Sequence, residues 1–500
     1  GDPEAAPRAA RLLDAYASRW QAAYLDACEA MRAGAQAPQL GALRLSCLEA
    51  RRQEAAAVVD LFRHATAATV QQSSDAVLGL PGVSGCGEVD ALSTPVPPPD
   101  DGPVRQQIDR LSRDLARVVA ESAAGDPRAL GHAEALVAEA NQVGFAPLQA
   151  EALLSLGSAY LYGGRPDLAR DLYLRSLTSA ERGRVDAVRA RACARLAWSV
   201  GHYFGHYEEA DRWMEAALAI LDRTPAIDAE VNARHILASL RTAEGRIQES
   251  LAALDRMDEL IRKRGRPDDP DRVRALSARS DDLAELGRFQ EAAGYAREAL
   301  ARQIELRGTR HPITARLEYL LARVLVEAGG TVEARELLDR TASYWIDAGT
   351  PSAPELLDAG DIRATSFQRE GRFQQALDEA LRIRAIRERA QGPDHADLSF
   401  TLGNVGFALL GLGRPAEAIT PLERALALQT RAGLKLSPTA EGKLALAQAL
   451  WRTGGDRARA RALARDAEQA SRIAPEGRIH REAAAWLAEH PDPAPRVDGQ

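Results

Sequence analysis

With 500 residues, and about 100 to 200 per domain, the chain has room for roughly three domains, and a hydrophobic share of 46% can fill their cores. Only 5% of residues are aromatic, so Ala and Leu dominate the apolar set; this favours close-packed helices and argues against an all-β or membrane-embedded chain. The formal charge of −7 gives no basic excess, which argues against a nucleic acid or an anionic bilayer as partner.

The basic residues are 61 Arg and only three Lys, at Lys263, Lys435 and Lys443. Chemistry that needs a Schiff-base Lys, a P-loop Lys or a kinase Lys therefore has no candidate before residue 263. No run of about 18 uncharged apolar residues could span a bilayer, and no charged-then-apolar signal segment opens the chain. The chain begins at Gly1, not Met, and is expected to be a piece of something longer or a processed product.

In chain order, a helical pattern runs to about Arg32, a turn covers Gly34 to Pro38, and a second helix continues to about Gln72; residues 1–80 read as an N-terminal helical hairpin region. Residues 81–103 are rich in Gly, Ser and Pro, include PVPPPDDGP, and read as an extended linker. Gly82, Gly85 and Gly87 within it could be mistaken for a phosphate-cradling loop, but such a loop follows a strand, opens a helix and is followed by a Lys.

From about residue 104 to 490 a repeat takes over. Gly, four residues, then a small residue recurs from Gly164 to Ala169, Gly205 to Ala210, Gly245 to Ser250, Gly287 to Ala292, Gly329 to Ala334, Gly371 to Ala376, Gly413 to Ala418 and Gly455 to Ala460. The Gly spacings are 41, 40 and then five times 42, with a weaker first copy at Gly125. Each unit predicts two amphipathic helices around its Gly. Leu153, Leu156 and Tyr160 share one face before Gly164, and Ala169, Leu172, Tyr173 and Leu177 share another after it. The Gly takes a left-handed turn that side chains with a Cβ resist, and the small residue sits where the paired helices come closest. Residues 491–500 read as a disordered tail.

Gly157, Tyr160, Ala169 and Tyr173, and again Gly406, Ala418 and Ala425, fall at the small and aromatic positions of the tetratricopeptide repeat, which the array resembles. The extra residues of the longer period fall between units, as Gly308 to Pro312 and Gly392 to Ala396, and these inserts resemble the 42-residue repeats of kinesin light chains. The expected fold is an all-α tetratricopeptide superhelical solenoid of about eight to nine helix pairs behind an N-terminal helical hairpin.

A wider resemblance rests on Trp20, Tyr24, Ala27-Cys28, Cys47-Leu48-Glu49, Arg51-Arg52, Leu80-Pro81 and Cys86, then Trp198 to Gly201, Tyr207 to Ala210 with Trp213, Gly411 to Ala418, Trp451, Gly455 to Ala460 and Ala485 to Leu487. Over about residues 10–490 these resemble the region beside the repeats in myxobacterial serine/threonine protein kinases. In that family a kinase domain comes first, commonly followed by one membrane helix. The resemblance implies a kinase's C-terminal region without its catalytic half, since no HRD, DFG or Gly-rich loop with a strand Lys is present.

Cys28 and Cys47 are equidistant from the middle of the Gly34 to Pro38 turn, so a disulfide between them is geometrically allowed; two free thiols are the alternative, and Cys86 is a rival partner for either. The membrane helix implied by the resemblance would place this region in an oxidising periplasm, which favours a bond. Cys193 is expected to pack. His202 and His206 are four apart, but Gly205 interrupts the helix between them and no third metal ligand is near; they read as surface histidines. Asp268-Asp269 and Asp281-Asp282 read as solvated acids.

In a stacked helix-pair solenoid the first helix of each pair lines the inner groove. Counting back from the turn glycines places there Arg195, His202, Asn232, His235, Arg274, Asp281, Arg316, Tyr319, Arg323, Asp361, Gln368, Asn404 and Phe407. Arg, Tyr and Asn suit an extended peptide, through forked hydrogen bonds and stacking; a merely solvated inner face is the alternative. No Lys stands at these positions, so a Lys and Asn clamp for an acidic C-terminus is unsupported. The expected function is protein or peptide binding in this groove, as the sensory or scaffolding part of a membrane-anchored kinase facing the periplasm. The alternative is a freestanding cytosolic adaptor. No catalytic motif, metal site or cofactor is expected.

Overall fold

The computed structural model describes residues 2–87, 95–350, 353–431, 437–472 and 477–491. Among these residues the chain forms 23 α-helices and no strand. Helices α1 (Ala5–Arg32) and α2 (Pro38–Arg63) make the N-terminal hairpin, and α3 (Ala67–Gln71), α4 (Ser73–Leu78) and a 3-10 turn at Ser84–Gly87 follow. Nine helix pairs come next: α5 (Gly102–Ala123) with α6 (Ala129–Val143), α7 (Ala146–Tyr162) with α8 (Pro166–Gly183), α9 (Asp186–Trp198) with α10 (Tyr207–Arg223), and α11 (Ile227–Ala243) with α12 (Ile247–Arg264). They continue as α13 (Pro270–Glu285) with α14 (Phe289–Arg307), α15 (Pro312–Ala328) with α16 (Thr331–Asp347), and α17 (Pro354–Arg369) with α18 (Phe373–Ala390). The last pairs are α19 (Leu398–Gly411) with α20 (Pro415–Arg431) and α21 (Ser437–Arg452) with α22 (Arg457–Ala470), and α23 (Arg478–Glu489) closes the series.

The pairs are built by two backbone rules. The glycine between the two helices is left-handed in every pair, with φ between +63° at Gly125 and +91° at Gly329. In the last pair this residue is Gly454 and not Gly455; two adjacent glycines fit the sequence pattern equally, and the turn there carries one extra residue. The small residue after each turn is sealed: Ala169, Ala210, Ser250, Ala292, Ala334, Ala376, Ala418 and Ala460 are at most 1% exposed. A second small residue, seven before the turn glycine, completes the approach, as at Gly157, Ala238, Ala322, Ala364, Gly406 and Ala447. A Cβ on Gly157 would stand 2.7 Å from the Tyr173 ring. In α9 the equivalent residue is Ala197, eight before Gly205, because Ser199–Tyr203 winds as a π turn that admits one extra residue.

The described residues gather into two compact units, one running to Ala278 together with Ala301–His311, the other comprising Arg279–Leu300 and Pro312 onward. In the first unit α7 touches α9 and α9 touches α11; in the second α15 touches α17, α17 touches α19 and α19 touches α21. Direct contact between successive first helices puts them on the shorter, concave side of each stack.

The first unit carries the hairpin along the starts of its first helices. Arg19 forks onto Asp268 at 3.0 and 3.1 Å, the Arg8 Nη1 donates to the Arg307 carbonyl at 3.1 Å, and Asp75 takes Arg307 at 2.6 Å and His311 at 2.7 Å. Burial alone would raise the Asp75 carboxyl, but the His311 bond and the Arg307 charge hold it below the usual carboxylate range. Within the stretch read as a linker, Val83 and Cys86 are buried, the Gly82 N–H donates to Asp228 at 3.3 Å, and the Val96 N–H donates to the Gly183 carbonyl at 3.0 Å. Its residues 88–94 lie outside the described residues, as do the tail beyond Pro491 and Lys435.

The disulfide joins Cys47 to Cys86, with Cα atoms 5.6 Å apart, and not to Cys28, which is a free, half-buried thiol. The hairpin's level explains the correction. Arg44 pairs with Asp26 at 2.6 Å, and Gly41 lies against Met31, so Cys28 faces the residues between Gly41 and Arg44. Cys47 lies about a turn further along α2, near Leu48, whose carbonyl accepts the Trp20 indole N–H at 2.7 Å. Cys193 is buried, and burial pushes its thiol up to about 11. In the second unit α23 covers the apolar face of the last pair with Ala483 and Trp486, whose ring meets Trp451 edge-on at 5.6 Å.

Candidate functional site

The first unit's concave face draws side chains from four successive first helices into one file. Arg195 of α9 donates to the Tyr162 hydroxyl of α7 at 3.4 Å, with its guanidinium carbon 5.9 Å from that ring's centre. Its charge, the largest influence there, lowers the Tyr162 phenol from its usual range. Arg274 of α13 donates to the His235 Nδ1 of α11 at 2.9 Å. An arginine has no acceptor, so Nδ1 carries the lone pair and Nε2 carries the proton. Burial, then the charges of Arg274 and Arg195, push His235 down to about 3 and keep it neutral. Arg274 also pairs with Asp271 at 2.7 Å, and Asp271 is held at 3.0 Å by the buried Arg264 as well. Among the described residues no carboxylate lies within ion-pair distance of Arg195. Asn232 is half-buried one turn before His235.

The π turn shapes the neighbouring surface. His202 is exposed and stacks on Trp198 at 4.1 Å, with Tyr203 edge-on at 4.9 Å. Partial burial lowers the His202 imidazole from its usual value. His206 lies 3.9 Å from Glu209, and among the described residues no group of three or more ligand side chains could hold a metal ion.

The second unit's concave face has a different chemistry. Arg323 pairs with Asp281 at 2.6 Å, and Arg316, one helical turn before Tyr319, is exposed and acts on the same carboxylate through its charge. Burial pushes the half-buried Tyr319 hydroxyl up to about 12. Asn404 is buried and spent internally: its amide donates to the Asp361 carbonyl at 3.1 Å, and its side-chain oxygen accepts from Thr365 at 3.2 Å and Gln368 at 3.3 Å. Phe407 is half-buried and packs against the apolar core. Gln368, Asn404 and Phe407 thus pack α17 on α19.

Beneath them lies a buried charge cluster. Arg387 is 1% exposed and bonds Asp358 at 2.5 Å and Asp361 at 3.0 Å, with Asp397 at 3.5 Å. Burial pushes Asp361 up to about 7 against the opposing pull of Arg387 and the Thr401 hydroxyl, which donates at 3.0 Å.

Two of these residues escaped the sequence reading. Tyr162 lies two residues before Gly164, outside the counted register, and its only signal is an aromatic side chain in the last turn of a first helix. Arg387 sits among Arg382, Arg384 and Arg389, where it looks like part of a solvated face.

Stacked antiparallel helix pairs, each closed by a left-handed glycine and gathering polar first-helix side chains on a concave face, define a helix-pair solenoid. Residues 271–343 and 361–431 match the tetratricopeptide repeat family. No curated protein sequence matches the chain. Among solved structures it is similar to the TPR-like repeats of a Podosopora anserina kinesin light chain, at 22% identity and a TM-score of 0.35, over 41% of this chain and 96% of that one. A Rap protein complexed with Competence and Sporulation Factor is similar at 15% identity and a TM-score of 0.49, over 76% of this chain and 99% of that one. NprR in complex with its cognate peptide NprX is similar at 14% identity and a TM-score of 0.46, over 59% and 82%.

Proposed function

We propose that the chain is a non-catalytic module that binds a protein or peptide partner on its concave faces. The observation that carries this reading is the file Tyr162, Arg195, His235 and Arg274, in which four successive first helices present hydrogen-bonding and aromatic groups to one surface. A peptide laid along that file would meet one contact per repeat.

The wider setting belongs to the same proposal: the non-catalytic C-terminal region of a membrane-anchored bacterial serine/threonine kinase, facing an extracytoplasmic compartment. The family resemblance supports the parent, and the Cys47–Cys86 disulfide supports an oxidising compartment. A freestanding cytosolic adaptor is the alternative, favoured by the free thiols of Cys28 and Cys193. Reading the gene upstream of Gly1 separates the two, because a kinase domain and a hydrophobic run are required by the first alone.

Selection of displayed random dodecapeptides on the folded chain tests the binding reading. Enriched peptides should lose binding to a variant of the first file, Arg195→Gln, or of the second face, Arg323→Ala with Tyr319→Ala. A library that yields no enriched sequence, or only sequences indifferent to both variants, overturns it.

A further inference from the structure

We propose that α23 is an autoinhibitory strap on the second unit's concave face: Arg478, at its start, clasps Glu441 and Glu327 across that face, and a partner reaches Arg323 and Tyr319 only when the clasp opens. This rests on the peptide-binding reading and adds its regulation.

Three observations converge on it. First, the clasp joins inner-face positions that are not neighbours. Glu327 lies one turn beyond Arg323 on α15, and Arg369 two turns beyond Asp361 on α17, so each stands on its helix's inner stripe. Arg369 donates to Glu327 at 2.6 Å and also lies 3.8 Å from Glu441 of α21, with α19 between the two helices in the series. Arg478 bonds Glu441 and lies 3.8 Å from Glu327, although three helix pairs separate α15 and its partner from α23 in the chain. A capping helix needs only the last pair, which α23 covers with Ala483 and Trp486; the reach back to α15 is additional.

Second, the helix between the clasped ones is covered. From Thr401 to Leu410 α19 has no exposed residue, and Phe407 alone is half-buried, whereas α11 of the first unit keeps Asn232, Arg234 and His235 half-buried. Third, the clasp can open while α23 stays folded. Glu327, Arg369, Arg478 and Glu441 keep between 24% and 33% of their side-chain surface in water, and a cavity of about 420 Å³ lined by Phe289, Thr331, Arg369, Glu370 and Arg481 lies beside them. Ion pairs so placed are individually weak and screened by salt. Glu482 of the same helix, 3.0 Å from Arg478, keeps the guanidinium paired when it leaves Glu441, and the apolar side of α23 stays on the last pair.

The test runs the dodecapeptide selection on the native chain and on Arg478→Gln in parallel. Peptides that depend on Arg323 and Tyr319 should bind Arg478→Gln at least about tenfold more tightly than the native chain, the gain expected when the competent state rises from about a tenth of the molecules to nearly all. Glu327→Gln with Glu441→Gln should give the same gain, with the helical circular dichroism of both variants unchanged, and raising the salt concentration should narrow the gap between native chain and variants. Peptides that engage Arg323 and Tyr319 equally well in native and variant chains overturn the strap while the binding module stands. Peptides confined to the first unit's file in every chain overturn it too, since opening the clasp then uncovers no site. An empty selection on all chains removes the module, and the strap with it.

Discussion

Replacing Arg387 by Met removes the one guanidinium inside the Asp358, Asp361 and Asp397 cluster while keeping a side chain of similar length. Breaking a buried ion pair on one side costs about 3–5 kcal/mol, because a carboxylate is left without its counter-charge. Asp358 and Asp397 keep 38% and 39% of their side-chain surface in water and contribute the smaller part, whereas Asp361 keeps 7% and contributes the larger. The pH dependence follows from Asp361. Its folded pKa of about 7 lies above the ordinary 3.8, so its share of stability is full below the unfolded value, declines as pH rises, and levels off above about 7. Without Arg387 the folded pKa rises further, so the decline continues beyond pH 7. From about pH 7 to pH 8 the variant should lose up to about 1.4 kcal/mol, the energy of one pH unit for one proton, and so about 1 kcal/mol more than the native chain, whose Asp361 is still completing its ionisation there. Urea unfolding followed by helical circular dichroism at about pH 6, 7 and 8 measures the difference. Asp361→Asn should remove the slope between about pH 4 and 7 and restore part of the stability of the Arg387→Met chain. Parallel native and Arg387→Met curves over this range would refute the assignment of Asp361 as the strained member.

Other outcomes follow from packing and covalent structure. Gly157→Val places side-chain carbon against the Tyr173 ring, where a Cβ alone would stand at 2.7 Å, and should cost about 1–3 kcal/mol as an overpacked contact, read as a lower urea midpoint. Reduction of Cys47–Cys86, which closes 39 residues, should cost about 3–4 kcal/mol of hairpin stability by chain entropy, seen as faster proteolysis within residues 1–100 while the pairs beyond Gly102 stay protected. Because the Asp75 carboxyl is held below its usual range, its stabilising bonds with His311 and Arg307 should persist above the unfolded value and be lost as pH falls through the folded one; Asp75→Asn should loosen the hairpin at neutral pH and flatten that acid limb, measured by amide exchange in α4. The His235 imidazole, pushed down to about 3, should show no proton-coupled shift in its NMR spectrum between about pH 5 and 8.

The stack was legible because its rules are local. A left-handed turn leaves Gly as a visible mark, and a closest approach leaves Ala, so a 42-residue period can be read by eye. The single slip, Gly455 for Gly454, occurred where the chain offers both. Inner-face residues were legible to the extent that helical register alone decides them, as for Arg195, His235, Arg274 and Arg323. Depth is not encoded in register: Asn404 and Asp361 count as groove positions in sequence, yet both are buried under packing from α18 and α19. The cysteine partner was illegible for a similar reason. Equidistance from a turn assumes that the two helices are level, and the contacts of Met31 with Gly41 and of Trp20 with Leu48 set a different level.

The scarcity of Lys acquires a structural meaning once the ion pairs are placed. Many of them join residues about one repeat apart: Arg297 to Glu333 and Arg424 to Glu388 at 36 residues, Arg191 to Glu151 at 40, Arg369 to Glu327 and Arg323 to Asp281 at 42. Each is worth little alone at a partly exposed site, but a planar guanidinium that grips both carboxylate oxygens, as Arg297 does at 3.1 and 2.7 Å, also fixes the angle between neighbouring repeats. An ammonium gives no such angular constraint, which accounts for Arg over Lys in a fold whose Ala-lined seams are smooth and permit sliding. Against that background Arg195 is the informative departure. It lies on a first helix, as Arg191, Arg323 and Arg369 do, and it holds an aromatic ring and a phenol instead of a carboxylate. Between α7 and α9 the ionic stitch is made instead one turn earlier, by Arg191 on Glu151, so the Arg195 contact with Tyr162 is free to serve the concave face.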